Sequence, residues 1–318
     1  MSSTSRVYGK LSKICETAKN VNLSKFTSNK IGGVAKFMVS PNSLEQIIKV
    51  LDVIGKAQIP YMVLGNMTNV LIDDYDGVVI RIASNFDDVK VHGGKIIASA
   101  GCSLSKVCSI AMMHSLSGLE ELFGIPGTVG GAVVMNAGAF GSSMENVTSS
   151  VIAISDGKIT HYTHKECEFG YRHSIFDNKF VLFVQFDLKR GDKNQIQTKM
   201  TKYMADRKNS QPLDLPSSGC TFKNIDGLPI GKILDLDGFK GYSVGGASVS
   251  TKHANFIVNK DNATVFDVMQ LIQKLQNHIL QKYNVMPQTE IKIIRRKNEW
   301  YYLVITILIQ IFHMPKAQ

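Results

Sequence analysis

Residues 35–39, AKFMV, form a short apolar run suited to an extended strand, and the period changes immediately behind it. Asn42 or Ser43 stands where a helix cap belongs, and Leu44, Ile47, Ile48, Leu51 and Ile54 recur at the spacing of one helix face. YMVL at 61–64 returns to strand character and runs into the turn-rich GNMTN. Strand, helix and strand make a βαβ unit that delivers this loop at a strand's carboxyl end, where α/β folds commonly place ligands. VVIRI and KIIASAG predict further strands, and 103–116 a helix.

The pattern breaks between Gly124 and Gly141, where GIPGTVGGAVVMNAGAFG is too rich in glycine for a helix interior or a regular strand. Something must approach that backbone closely. VIAIS, the Asp156-Gly157 turn and KITHYT predict a hairpin, FVLFVQFDL another strand, and 194–208 a helical connector. Composition shifts at QPLDLPSSG, placing a boundary between about 200 and 216. Strands near 243–258, an amphipathic helix over 264–283 and the strand EIKII complete a compact α+β module.

With 318 residues the chain can bury two or three packed modules, and 44% hydrophobic against 19% charged residues excludes global disorder. The net charge of +10 favours anionic partners, but no run of Lys and Arg with interleaved aromatics points to nucleic acid. Five scattered cysteines show neither disulfide nor zinc spacing and read as reduced thiols, so no metal is expected. Met1–Asn20 is polar with no secretory pattern, so a cytoplasmic protein is expected. After Arg295, Arg296 and Lys297, the apolar run from Trp300 to Phe312 falls short of the roughly 20 residues of a membrane span. A packed tail is the expectation and an interfacial anchor the alternative.

Neither glycine-rich segment fits G-x-G-x-x-G opening a helix, which disfavours a standard Rossmann domain. Two separated loops rich in backbone N–H groups can surround a pyrophosphate from both sides; the alternative is tight turns between packed strands. The full strings VLGNMTNVLI and GIPGTVGGAVVMNAGAFG closely resemble the flavin-binding loops of the UDP-N-acetylenolpyruvoylglucosamine reductases (MurB). KIGGVAKFMV, YRHSIF, SGCTFKN, VSTKHANFIVN and TEIKII match the same family pattern, so the resemblance covers roughly residues 20–294.

The resemblance implies an α+β chain. Its two-subdomain FAD-binding module, like those of the vanillyl-alcohol-oxidase type, would occupy residues 21–200, with a smaller α+β substrate-binding domain at 201–294. A polar helical segment at 1–20 and a tail at 295–318 flank them. FAD would be held noncovalently by Gly65, Asn66, Met67, Thr68 and Asn69 and by Gly124, Ile125, Pro126, Gly127, Thr128, Gly130, Gly131, Asn136, Ala137 and Gly138. Met67 stands where the family usually has glycine, and Thr68 where it has serine. The short step from YRHSIF to FVLFVQFDL lacks the insertion that closes a tyrosine loop over substrate, so the chain resembles the family's second type.

The implied reaction is NADPH-dependent reduction of a UDP-linked enolpyruvyl amino sugar, a step of peptidoglycan precursor synthesis, with hydride passing through FAD N5. Such a reduction needs hydride at one alkene carbon, a proton at the other, and stabilisation of the enolate between. Arg172 matches the family's catalytic arginine; taken alone it could be a surface ion pair. Glu290 matches the family's glutamate and otherwise reads as a strand-edge residue inside TEIKII. Cys220 occupies the position of the usual proton-donating serine, and an ordinary thiol near pKa 8.5 surrenders its proton more readily than a hydroxyl; alternatively it is a small buried hydrophobe. Tyr171 and Asn224 are expected at the substrate, while Lys223, Arg207 and His253 could serve phosphate or sugar but each fits a structural role better. A monomer is expected. The competing readings are another FAD-dependent oxidoreductase on this scaffold and a flavin-binding protein without catalysis.

Overall fold

In the structure, a computed structural model, residues 3–225 and 228–295 are described; the basic and apolar tail expectation lies outside the described residues. Helix Ser3–Leu11 buries Val7 and Leu11 against a four-stranded sheet ordered Glu16–Asn22, Val34–Ser40, Tyr75–Arg81, Tyr61–Leu64. The first pair is antiparallel and the other two parallel, with Met38 and Met62 both in register with Val79. The polar N-terminus is therefore not helical through residue 20: the helix ends at Leu11, and Glu16–Asn22 becomes an edge strand. Backbone pairing with the apolar Val34–Ser40 strand overrides its polar side chains.

Helix Leu44–Ala57 opens where Ser43 Oγ accepts from Gln46 N at 3.3 Å and closes at Gln58 in the left-handed region. Its buried stripe is Ile47, Val50 and Ile54, while Ile48 is 47% exposed. The stripe is narrower than the sequence pattern because a position one step from Ile47 lies about 100° around the helix.

The second sheet is antiparallel throughout, in the order Lys158–Thr163, Thr148–Ser155, Phe180–Asp187, Lys95–Ser99, Val89–His92. Asp156 and Gly157, at φ 51° and 74°, form the two-residue turn whose twist suits a hairpin. One continuous core, from Val7 and Phe37 through Leu122 to Phe186 and Met200, fuses the two sheets. The glycine-rich stretch departs from a pure loop: Val129–Val134 is a short helix capped by Thr128 Oγ1. Glycine is required at 130 because a β-carbon there would lie 2.8 Å from that of Ala100.

The polar helix Lys193–Ser210 leads to a third unit with its own core around Phe222, Leu234, Leu271 and Ile279. Its sheet runs Ser217–Cys220, Phe256–Asn259, Ala247–Val249, Ser243–Val244, covered by helices Ile230–Leu236 and Val265–Tyr283. The chain then returns: Lys292–Ile294 pairs in parallel with Val70–Ile72 of the first unit, Lys292 opposite Val70. No helix among the described residues is long and apolar enough to cross a membrane.

Asp237, at the end of helix Ile230–Leu236, ties the third unit together. Its side chain is 4% exposed and accepts from His278 Nε2 at 2.7 Å, from Lys282 Nζ, and from Tyr283 Oη at 3.1 Å. Burial opposes its ionisation, but the hydrogen bonds from Lys282, His278 and Tyr283 outweigh burial and hold the carboxyl at about 2. A depressed carboxyl stabilises the fold fully above its unfolded value of about 3.9 and loses that contribution as pH falls towards the folded one. Asp237→Asn should therefore lower unfolding stability by about 1–3 kcal/mol at neutral pH. In chemical denaturation the gap from wild type should narrow between about pH 4 and pH 2; an unchanged midpoint at neutral pH contradicts the role.

Candidate active site

The three units enclose a cavity of about 1150 Å³. Gly65 to Asn69 line it, as do Ile125 to Thr128, Gly130, Gly131, Ala137 and Gly138. The two loops touch: Thr68 Oγ1 donates to Pro126 O at 3.2 Å, and a β-carbon on Gly65 would come within 2.2 Å of Thr128 Oγ1. Gly127 holds φ +132°, a region closed to most side chains. The N–H groups of Asn66, Met67, Thr68 and Asn69 find no acceptor among the described residues, leaving consecutive donors at the wall.

Met67 resolves the departure from glycine. It keeps the left-handed backbone, at φ 51°, and its side chain is 3% exposed, packed with Leu23, Ala35, Met38 and Val70. The strained backbone costs about 1–2 kcal/mol, which burying a methionine side chain, at roughly 1.5–3 kcal/mol, offsets. The segment thus keeps the glycine-like turn. Free backbone donors, close-approach glycines in two touching loops and a volume above the usual ~300–1,000 Å³ of a single-ligand pocket fit a dinucleotide with a second ligand beside it.

Arg172, Cys220 and Glu290 all line this cavity, although they come from different parts of the chain. Arg172 sits at φ 54° in a turn closed by the Gly170 and His173 backbones. Its Nε donates to Glu290 Oε1 at 2.8 Å and its Nη2 to Gly138 O at 3.3 Å. Glu290 lies in a bend just before the return strand rather than inside it, so its side chain is freed from strand alternation. Glu290 N donates to Thr221 O at 2.8 Å, and Asn69 Nδ2 to Glu290 O at 3.2 Å. The Glu290 backbone is thereby fixed between the first of the two loops and the neighbour of Cys220.

Cys220 ends a bulged strand: Ser217 pairs with Val258 but Cys220 with Phe256, so three steps oppose two, with Gly219 at φ 79°. Burial pushes its thiol up to about 12, and the Glu290 charge adds to this while Arg172 and Arg207 act against it. This burial opposes the expected easy proton release, because it disfavours the thiolate left behind. Glu290 is also raised, by burial, with the Arg172 charge and hydrogen bond and then Lys223 opposing.

The other expected residues divide. Tyr171 is exposed, outside the residues that line the cavity, and its Oη accepts from Asn224 N at 3.2 Å. The Asn224 amide oxygen is used on Ile230 N at 3.2 Å, at the start of helix Ile230–Leu236. His253 is structural: its Nδ1 accepts from Asn255 N, burial lowers its pKa, and Gly231 packs on its ring. Neither Gly124 nor Asn136 belongs to the cavity wall; a β-carbon at 124 would press on Arg207 Cδ at 3.0 Å.

Arg207, for which a structural role is the expectation, is placed differently from His253. It lines the cavity, forms no ion pair among the described residues, and its buried Nε lacks a partner, as does nearby Gln211 Oε1. Burial lowers its pKa, with Cys220 acting the other way. Sequence reasoning missed Gln211, Asn69 as a clasp on Glu290, and Lys292, which pairs with Asp177 at 2.9 Å. Lys292 stands two residues from Glu290, the one local signal that this strand end is anchored.

Comparison with known proteins gives this arrangement a lineage. Residues 35–163 match the FAD binding domain family, and residues 211–294 the family described as UDP-N-acetylenolpyruvoylglucosamine reductase, C-terminal domain. A UDP-N-acetylenolpyruvoylglucosamine reductase of Caldanaerobacter subterraneus is 42% identical over 91% of this chain and 98% of its own length. That of Clostridium novyi is 39% identical over 89% and 94% respectively. The crystal structure of the Thermus caldophilus enzyme aligns at a TM-score of 0.76 with 33% identity, covering 88% of this chain and 98% of that one. Sequence, fold and the architecture of the cavity agree: this chain is an oxidoreductase with an FAD-binding domain and belongs to the UDP-N-acetylenolpyruvoylglucosamine reductase family.

Proposed function

We propose that this chain uses NADPH to reduce the enolpyruvyl ether of UDP-N-acetylglucosamine enolpyruvate to UDP-N-acetylmuramate, with Cys220 supplying the proton. The observation that carries the reading is the meeting of Arg172, Glu290 and Cys220 on one cavity beside two loops suited to a dinucleotide. Bound FAD would supply the hydride chemistry, accepting hydride from NADPH and delivering it to the alkene. Gly65 to Asn69 and Ile125 to Gly131 would hold it.

The chain's own residues account for the rest. Glu290 and Gly138 engage Nε and Nη2 of Arg172, leaving Nη1 without a partner among the described residues and open to the substrate carboxylate. As one alkene carbon gains hydride, negative charge passes to the conjugated carboxylate, where the guanidinium stabilises it. The Cys220 S–H then gives its proton to the other carbon, and the thiolate recovers one from water, so the alkene gains hydride and proton in all. A raised thiol suits this order because it stays protonated until a carbanionic carbon demands the proton. The lone Arg207 supports an anion site for the substrate's diphosphate.

Removing the thiol should separate the two half-reactions. In Cys220→Ala, NADPH should still bleach the flavin at near-normal rate, while reoxidation by the enolpyruvyl substrate slows by ~10²-fold or more, and Cys220→Ser should retain substantial activity. Stopped-flow absorbance reads both; wild-type reoxidation in Cys220→Ala places the proton elsewhere. The protonated thiol is the working form, so wild-type reoxidation should stay flat through about pH 9, where an ordinary thiol would be largely ionised. A decline centred near 8.5 would contradict the raised value.

Arg172→Lys keeps charge but loses the fork held by Glu290 and Gly138, so reoxidation should fall by ~10²-fold or more with little change in UDP affinity. Calorimetric titration with UDP and single-turnover kinetics distinguish this from a binding role, which would weaken UDP affinity at unchanged turnover.

A further inference from the structure

The side chain of Asn136 is spent inside the protein. Asn136 is 4% exposed; its Oδ1 accepts from Glu145 N at 2.9 Å, and its Nδ2 donates to Gly170 O at 2.9 Å and reaches Glu145 Oε2 at 3.4 Å. It follows the end of helix Val129–Val134 in the left-handed region, at φ 40°, a conformation asparagine tolerates better than most residues.

Its partner Gly170 begins the turn that carries Arg172. Gly170 N donates to His173 O at 3.0 Å and His173 N to Gly170 O at 3.1 Å, with the arginine between them. Beyond the turn, fully buried Ser174 donates through Oγ to Val134 O at 2.9 Å, and Arg172 Nη2 reaches Gly138 O at 3.3 Å. Three alternate residues of the glycine-rich segment, at 134, 136 and 138, thus grip residues 174, 170 and 172. The turn's own backbone pair closes it, but does not locate it on the wall. Arg172 holds a backbone conformation costing about 1–2 kcal/mol in a non-glycine residue, so surrounding contacts must hold it there.

We propose that Asn136 is a positioning residue for the reaction: its amide seats the Arg172 turn on the cavity wall, so that the guanidinium meets the substrate carboxylate in register with the flavin site. The proposal rests on the reductase reading above. Losing the Asn136 donor leaves Gly170 O paired with His173 N, so the turn persists while its seat loosens. A shift of about 1 Å in such a group costs on the order of 10²-fold in rate.

The test uses full-length, FAD-loaded Asn136→Ala, with FAD content, flavin reduction by NADPH and reoxidation by the enolpyruvyl sugar measured separately. FAD content and flavin reduction should stay within about twofold of wild type while reoxidation slows by on the order of 10–100-fold. In an Arg172→Ala background the same substitution should slow reoxidation no further, because Asn136 acts only through the arginine. Should Asn136→Ala fail to fold, Ser174→Ala, which loosens the same turn from its other end, must show the same split and the same silence in Arg172→Ala. Equal loss in both half-reactions, or an undiminished effect without Arg172, would overturn the proposal and leave the reductase reading standing. Wild-type reduced enzyme that the enolpyruvyl sugar cannot reoxidise would overturn both.

Discussion

The site depends on one backbone pairing, between the C-terminal return strand Lys292–Ile294 and Val70–Ile72. Parallel pairing of strands separated by over two hundred residues carries a loop-closure cost that side chains must repay. Lys292 N donates to Asn69 O at 3.0 Å, Asn69 Nδ2 to Glu290 O, and Lys292 Nζ pairs with Asp177. Beside them Ser28 Oγ donates to Ser217 O at 2.6 Å and Asn29 Nδ2 to Ser218 Oγ at 2.9 Å. The third unit is thereby fastened to the first by two sets of bonds that meet at Asn69 and Val70. Glu290 reaches Arg172, 118 residues away in sequence, because of that fastening.

Burial then sets the chemistry. A partly buried carboxylate and guanidinium at 2.8 Å are worth little as a stabilising pair, since desolvation cancels much of their attraction. Their value is orientation: the glutamate fixes one edge of the arginine, and both charges act on the thiol of Cys220. Burial of the sulfur favours the protonated thiol, which suits the proton-donor role proposed for it. Arg207, without a carboxylate partner among the described residues, leaves the cavity with an unneutralised positive charge suited to an anionic ligand.

Much of this was legible in the sequence where local rules decide. Ser43 and Thr264 cap their helices, Asp156-Gly157 turns its hairpin, and the strings around Gly65, Gly127, Arg172 and Cys220 brought the family into view. What stayed hidden depends on tertiary contact. Glu16–Asn22 looks polar and helical until an apolar strand offers its backbone, and VGGAVV is helical behind its Thr128 cap, with glycine at 130 because Ala100 leaves no room for a β-carbon. Asn136 reads as a flavin contact within NAGA, yet its amide is consumed by Glu145 and Gly170, whose proximity no spacing announces. The thiol's raised pKa follows from burial between units and has no local signature.

The central claim is that Glu290 and Arg172 act as one device assembled across the return strand. A double-mutant cycle on the rate of flavin reoxidation by the enolpyruvyl sugar tests it most directly, using Arg172→Lys, Glu290→Gln and the double variant. The account predicts strong non-additivity, with the double variant about as slow as the slower single one, because each substitution already breaks the shared arrangement. Losses that multiply would show two residues acting independently and would contradict it.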